Sequence, residues 1–527
     1  MPLPPLLGFA LAAAIPPHDP QPPRLEEPFP TARAGEAAIL RFSISDAEGR
    51  PIPGRLTFVD GKGEEPELFV RTDPASGTLA VRKNVAYSLG KPVSITVPPG
   101  RYTVHATHGI EWSRATTELA LEAGKAAEWS PRLVREIDTP GWVSGDFHLH
   151  TLTYSGHGDA NLNERLISLL GEGVEFAVAT DHNHQIDYGP TVRALGAERS
   201  ITTVTGNEVS TEIGHFNAFP LDPARPPVDH RQTDANELFR RIRLEANPFG
   251  VLPVVQVNHP RYAEIDYFGL KRLDPVAGTS DDPAFSLAFD SVEVLNANAT
   301  WGWEGIERDD RLRGTNLHSV LHDWFRLLDR GERIAAVGNS DSHTVHYDMA
   351  GFPRNYVRLE AEGPGAIDPR GVAEAVKGKA LFTTTGPFVR FEVEGASMGG
   401  SVAARARPDG SRAVSVSIGV RSASWIPFDR VHLVVNGEIL RSSRASDRRR
   451  HEEGFEQRLT RDAWACVLVE GDASLWPIVG VRENPTRAIA VTNPVWIDAD
   501  GDGRWTSPWE QAKTLAAASG VEGLHGA

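Results

Sequence analysis

The stretch Gly145-Asp-Phe-His-Leu-His-Thr-Leu-Thr-Tyr-Ser-Gly-His-Gly-Asp159 decides how the rest of the chain is read. His148 and His150 stand one residue apart, and on an extended strand residues i and i+2 project from the same face. Two imidazoles placed in that way can share a metal ion or hold neighbouring ones. His157 follows within the same stretch. A solitary His-x-His is more often a solvated strand end. Here the surroundings point elsewhere, because twelve of the eighteen histidines lie between Pro140 and Gly351.

Outward from that stretch, metal-binding residue types recur at one kind of place, directly after a short apolar run. Phe176-Ala-Val-Ala-Thr180 leads into Asp181-His182-Asn183-His184, and Ile201-Thr-Thr-Val-Thr205 into Gly206-Asn207-Glu208, with His215 opening the next run. Val254-Val-Gln-Val257 leads into Asn258-His259-Pro260-Arg261, and Ile334-Ala-Ala-Val337 into Gly338-Asn-Ser-Asp341-Ser-His343. Between Gly141 and Pro387 such runs alternate with amphipathic segments, the texture of parallel strands covered by helices. Asn161–Leu170 reads as one helix, stopped by Gly171 and Gly173, and Leu317–Leu328 as another. In a parallel barrel all C-terminal strand ends lie on one face, so these distant side chains would meet in one cleft.

The ligand types narrow the chemistry. Imidazole and carboxylate without thiolate suit zinc, manganese or iron. About nine ligands exceed the needs of one tetrahedral ion, so two or three divalent ions are expected. Clustered divalent ions support hydrolysis by bridging a hydroxide and binding the entering and leaving oxygens. No Gly-rich phosphate loop and no Gly-x-Ser-x-Gly elbow offers a competing chemistry.

A chain of 527 residues is long enough for several domains. The net charge of −16 excludes a broad basic surface for nucleic acid or anionic membrane. The single cysteine, Cys466, excludes an intrachain disulfide framework and a cysteine-rich zinc site. Residues 1–24 read as a signal peptide or a disordered leader. Leu6–Ile15 has the length of a signal h-region and is too short to span a bilayer, although Lys and Arg are missing before it. Export to the periplasm or the exterior is expected, or a cytoplasmic location if the run is no signal. No other stretch is apolar for long enough to span a membrane.

Residues 25–139 read as an N-terminal β-sandwich: Ala38–Ile44 alternates, and Leu56–Val59, Val93–Val97 and Tyr102–Ala106 are short strands between Gly/Pro turns. His105 and His108 are expected to face solvent there. Residues 140–388 form the middle region, and 389–510 a C-terminal β-domain in which Asn436-Gly437 signals a hairpin. Residues 511–527 read as a tail.

Asp146-Phe-His148-Leu-His150-Thr151, Thr180-Asp181-His182-Asn183, Glu208, His259-Pro260 and Asp341-Ser-His343 resemble the ordered motifs of the polymerase and histidinol phosphatase (PHP) superfamily. Gly214-His215-Phe-Asn, Gly338-Asn-Ser-Asp-Ser-His343 and Thr383-Thr-Thr-Gly-Pro387 resemble more narrowly its CehA/McbA-like branch, whose named members hydrolyse carbamates. The resemblance runs from about Pro140 to Phe388. It implies a distorted (β/α)7 barrel, here flanked by the two β-sandwich-like domains, with two or three zinc, manganese or iron ions at its C-terminal face. It implies His148, His150, His182, Glu208, His215, His259, Asp341 and His343 as metal ligands. Many members continue the first motif with Ser-Asp-Gly. Here Ser155-Gly156-His157-Gly158-Asp159 stands instead, so His157 takes that ligand position and Asp159 is held in reserve.

The expected function is a metal-dependent hydrolase using a metal-bridged hydroxide on a small-molecule substrate. Asp341 would bind metal and take the proton, and Asp181 would orient an imidazole from behind. Phosphoesters lead as substrate class, with Arg261 and Arg354 as anion clamps. Carbamates, esters or amides are the alternative, with Tyr188, Tyr262, Tyr267 and Phe268 as an apolar slot. A second alternative is a non-catalytic, metal-stabilised protein whose β-domains bind a protein or glycan. His184 and His346 are either substrate contacts or solvated loop residues, and Glu293 is either structural or part of the site. His318 and His322 stand i, i+4. Asp498, Asp500 and Asp502 open like a calcium loop, although Trp509 occupies the place of its bidentate glutamate.

Overall fold

The computed structural model describes residues 36–69, 77–262, 265–296, 320–480, 482 and 486–518. The leader at 1–24, His318 and residues 519–527 of the tail lie outside them. Among the described residues no helix is long and apolar enough to cross a membrane.

The alternation in Ala38–Phe42 buries Ala38, Leu40 and Phe42 against Leu56, Phe58 and Val104. That core lies between a three-stranded sheet, ordered Val93–Val97, Ala38–Phe42, Ala126–Trp129, and a five-stranded one. The latter is ordered Leu79–Arg82, Val85–Ser88, Gly54–Asp60, Gly100–Thr107, Ala115–Leu121. The expectation for His105 needs correction. Its strand, Gly100–Thr107, has a hydrogen-bonded neighbour on each side, and the ring is 8% exposed with Nδ1 2.9 Å from Thr116 Oγ1. His108 is half-buried, its Nδ1 3.1 Å from the carbonyl of Gly171.

Between 140 and 388 the expected (β/α)7 barrel does not form, and sheets dominate instead. Trp142–Asp146, Phe176–Ala179 and Thr202–Thr205 run parallel to one another. Trp142–Asp146 also pairs antiparallel with Arg354–Arg358, which pairs antiparallel with Leu381–Thr384. Leu381–Thr384 bonds in turn to Arg487–Thr492, so this sheet continues into the C-terminal region and reaches eleven strands. A separate five-stranded sheet holds Asn207–Thr211, Gly214–Phe219, Val254–Val257, Ser291–Asn296 and Ala335–Asn339 in that order. Its first three strands are antiparallel and its last three parallel.

The reasons lie in the connections. Only two residues separate Thr211 from Gly214, which permits a hairpin, whereas a parallel crossover needs a dozen or more. Between Val257 and Ser291 the described residues include just one four-residue helix, Tyr267–Leu270, so no covering helix intervenes.

The expected helix near 161–170 is present as Leu162–Gly171. Asn161 caps it, accepting from Glu164 N–H while the Glu164 side chain accepts from Asn161 N–H. Val320–Asp329 is also helical and buries Trp324 and Phe325, which pack on Trp464 of the long sheet. Asn436 and Gly437, at φ 49 and 79, turn Arg430–Val435 into Glu438–Arg444 as an antiparallel hairpin. The first part of the tail is helical, in the helix Pro508–Ala518.

Burial, with the guanidiniums of Arg114 and Arg55 nearby, pushes His105 down to about 4. The unfolded chain, with an ordinary histidine near 6.5, therefore takes up a proton that the folded chain refuses. This contribution to stability is complete above about pH 6.5 and is lost towards about pH 4, at up to about 1.4 kcal/mol per unit. Urea unfolding between about pH 7 and about pH 5 should show the midpoint falling, and falling less in His105→Gln. Parallel slopes in the two proteins would rule out His105 as a source.

Candidate metal centre

Two strand tips meet here. Leu149, beyond Trp142–Asp146, bridges Ser342, and His182, beyond Phe176–Ala179, bridges Glu208. These bridges bring the ends of two strands of the long sheet onto the five-stranded one. His148 and His150 flank Leu149 with ring centroids 5.0 Å apart, and their Nε2 atoms lie 3.2 and 3.1 Å from the same oxygen, Asp341 Oδ1. His150 stacks on His343 at 4.1 Å and on His182 at 4.3 Å.

Glu208 is fully buried at the middle of the group. Its Oε1 lies 3.1 Å from His148 Nε2, 3.2 Å from His215 Nδ1 and 3.4 Å from His259 Nε2. Its Oε2 lies 2.6 Å from His182 Nδ1 and 3.5 Å from His150 Nε2.

Four overlapping donor sets result, with donor atoms in each set within 4.8 Å of one another: His150, His182, His343; His148, Glu208, His259; His148, His150, Asp341; and His182, Glu208, His215. Each can hold a metal ion. The residues fit such an ion for a further reason. The Nε2 atoms of His182 and His343 are buried with no hydrogen-bond partner, a costly state for nitrogen unless something binds it. His157 belongs to none of these sets, but its ring stacks on His343 at 4.6 Å and on His182 at 5.0 Å. Asp159 faces away: its Oδ1 accepts from Val345 N–H at 2.7 Å.

Charge is distributed unevenly among these groups. Burial opposes a charge on Glu208, but His182, His148 and His215 outweigh it and hold the carboxyl well below its ordinary range. Burial likewise disfavours protonated His148, yet Asp341, Glu293 and Glu208 raise its pKa well above the ordinary value. Burial and the neighbouring His343 and His182 push His150 well down. Burial lowers His182 to about 4 and His343 to about 3, leaving both neutral and ready to donate a lone pair.

The supports behind the donors were only partly legible. Glu293, left open by the sequence, lies with Oε1 3.0 Å from His148 Nδ1, and its Oε2 accepts from His259 N–H at 2.8 Å. It therefore turns His148 Nε2 towards the centre. The available signal was one charged residue between two buried valines in Ser291–Asn296. Asp181 does not touch an imidazole, which corrects its expected role. It accepts from Ser155 Oγ at 2.7 Å, and that hydroxyl lies 3.2 Å from His150 Nδ1. Asn258, which donates to Glu208 Oε1 at 2.9 Å, and Ser210, 2.7 Å from His182 Nδ1, went unnoticed because single Asn and Ser residues carry no pattern.

The proposed substrate clamps are engaged elsewhere. Arg261 donates through Nε and Nη2 to both oxygens of Asp323 at 2.8 Å, and through Nη2 to Leu273 O. Arg354 is 1% exposed, its guanidinium on the carbonyls of Gly351 and Glu172. Tyr188, Tyr267 and Phe268 are buried core residues rather than a slot. Tyr262 stands 6.4 Å from the His259 ring, and Tyr154 6.2 Å from His184. His346 reaches Glu65 at 3.4 Å.

At the C-terminal acidic turn, Asp462 joins Asp498 and Asp500 in a set that can hold an ion, and exposed Asp502 is outside it. Asp462 is distant in sequence, so a local loop pattern could not include it.

No family model matches the chain, and no curated protein matches it. Among solved structures, the minor pilin GBS52 of Streptococcus agalactiae is similar over 20% of this chain and 48% of that one, at 15% identity and a TM-score of 0.16. The CARDB domain of a Pyrococcus furiosus protein, in complex with di-metal ions, is similar over 21% of this chain and 94% of that one, at 15% identity and a TM-score of 0.15. Fold and site together define a β-rich protein of several sheets with a buried histidine–carboxylate cluster that can hold metal.

Replacing Glu293 by alanine removes the acceptor at His148 Nδ1 and should lower metal affinity about 10- to 100-fold. Competition with a fluorescent chelator measures this, and unchanged affinity would remove Glu293 from the centre's support.

Proposed function

We propose that this protein is a metal-dependent hydrolase whose two or three divalent ions (zinc, manganese or iron) occupy the Glu208-centred cluster. The observation that carries the reading is the sharing of donors: Glu208 and His148 each belong to two sets, as do His150 and His182, so neighbouring positions are joined by common ligands. The motifs resembling the PHP superfamily supply every donor in these sets. When bound, such ions lower the pKa of a coordinated water and polarise the scissile oxygen.

The protein's own part is arrangement and proton transfer. Glu293 and Ser155 fix the donor faces of His148 and His150 through their Nδ1 atoms. Asp341 is 3% exposed, with Oδ1 between His148 and His150, and is placed to take the proton from the attacking water. Both Asp341 and His259 hold positive φ, 50° and 25°, a backbone cost that ordinary turns avoid and sites retain. With Arg261 and Arg354 engaged elsewhere, an anionic substrate would be held chiefly by the ions. Phosphoesters remain the proposed substrate class on that basis. Aryl carbamates, esters or amides are the second reading, favoured by Tyr262 beside His259 and Tyr154 beside His184.

Chelator treatment should abolish hydrolysis, and added zinc or manganese should restore it. In Glu208→Gln both bound metal and kcat/KM should fall, the latter by about 100-fold or more, or about 2.7 kcal/mol. Aryl phosphates and aryl carbamates assayed side by side separate the two substrate readings. Stoichiometric metal with no turnover on either would instead support a non-catalytic binding protein.

Arg261→Met gives an independent check. Asp323 is fully buried, and losing its partner should cost about 3–5 kcal/mol of stability. Thermal unfolding should show that loss. A stable variant with phosphoester activity reduced about tenfold would restore Arg261 as a substrate clamp.

A further inference from the structure

The segment His343–Asp348, which begins at the candidate ligand His343, meets the N-terminal domain directly at Val345 and His346 and indirectly through Asp159. Arg82 ends the strand Leu79–Arg82, and its side chain is 6% exposed. Its guanidinium donates to both oxygens of Glu164 at 2.7 and 2.8 Å, and to the carbonyl of Asp159 at 2.6 Å. Glu164 is the residue that completes the cap of helix Leu162–Gly171. Asp159 touches the metal-ligating segment twice: its N–H donates to His343 O at 3.1 Å, and its Oδ1 accepts from Val345 N–H at 2.7 Å.

The approach is close. Gly158, at φ +86, lies where a Cβ would come within 2.3 Å of His343 O. Val345 packs with Ala80, Val85 and Tyr87 of the same N-terminal sheet. At the far end of the segment, Glu65 lies 3.4 Å from His346 Nε2 and also takes Lys83 Nζ and Trp476 Nε1.

The segment is thus gripped at both ends, and His343 emerges from it. Its Nδ1 is fixed 2.8 Å from Asp341 O, and its N–H donates to Asp348 at 2.7 Å, which leaves Nε2 buried without a hydrogen-bond partner in the donor set shared with His150 and His182. We propose that Arg82 is a positioning residue for the metal ligand His343, acting through Asp159, so that the N-terminal β-domain is a working part of the metal centre. The inference rests on ions occupying the Glu208-centred cluster. Nη2 alone reaches both Glu164 Oε2 and the Asp159 carbonyl while Nη1 takes Glu164 Oε1, so a lysine keeps the charge but loses the two-pronged grip on Glu164.

The test uses the full-length chain stripped with a chelator and titrated with Co²⁺ alone, read by visible absorption for coordination and by competition for affinity. Arg82→Gln should weaken Co²⁺ at the site containing His343 by about tenfold or more and change the absorption band, with Arg82→Lys in between. Asp159→Ala, which keeps the Arg82 contacts with Glu164 and with the Asp159 carbonyl but removes the Oδ1 acceptor of Val345 N–H, should do the same through the second half of the relay and serves if Arg82→Gln does not fold. A variant that melts earlier but binds Co²⁺ with wild-type affinity and spectrum would show a merely structural contact and overturn the proposal. Wild-type protein that binds no Co²⁺ would overturn the reading of the centre itself, a separate result.

Discussion

Glu208 is a carboxylate without solvent exposure, ringed by His148, His150, His182, His215 and His259. Removing an ion of that size from water costs several kcal/mol even after relaxation, so the charge persists only where opposite charge or donors surround it. That requirement organises the middle of the protein. The strands carrying these histidines belong to two different sheets, and each sheet presents its donors at one tip. Asn258 supplies a neutral hydrogen bond to the same carboxylate, and Glu293 balances His148 from behind. Apolar packing forms the sheets, but electrostatics decides where their tips meet.

The donors were legible because all but His215, which opens a strand, follow a short run of strand residues. That regularity survives in the structure although the barrel does not. Parallel runs such as Phe176–Ala179 were read correctly as buried strands, whereas Gly214–Phe219 looked like another and is the return arm of a hairpin. Periodicity reports burial, and strand direction depends on connection length, which here is two residues at Thr211–Gly214. The supports were less visible. Arg261 and Arg354 looked free because sequence shows charges and not their partners. Asp323, which claims Arg261, lies on a helix 62 positions away. Glu65, Arg82 and Asp462 are equally remote from the residues they serve.

The flanking sheets are joined to the middle by different means. On the N-terminal side charged contacts through Arg82 and Glu65, with the buried pair of Arg55 and Glu172 at 3.4 Å, surround a small apolar cluster that includes Tyr87 and Val345. On the C-terminal side it is a hydrogen-bonded ladder, reinforced by Trp464 against Trp324 and Phe325.

The pairing of Leu381–Thr384 with Arg487–Thr492 also sets an order of events in time. A chain emerging from the ribosome can form the N-terminal sandwich early, since all its strands lie between Ala38 and Trp129. The strand that leads into His148 and His150 waits for Arg354–Arg358, and Leu381–Thr384 waits about a hundred residues longer for its outer neighbour. Sheets closed by such distant segments form slowly, because the loop must be closed before any contact repays it. During that interval Leu381–Thr384 presents an unpaired backbone edge, a template for another nascent copy. Expression at low temperature or with a chaperone that shields such edges therefore favours the native sheet over aggregation.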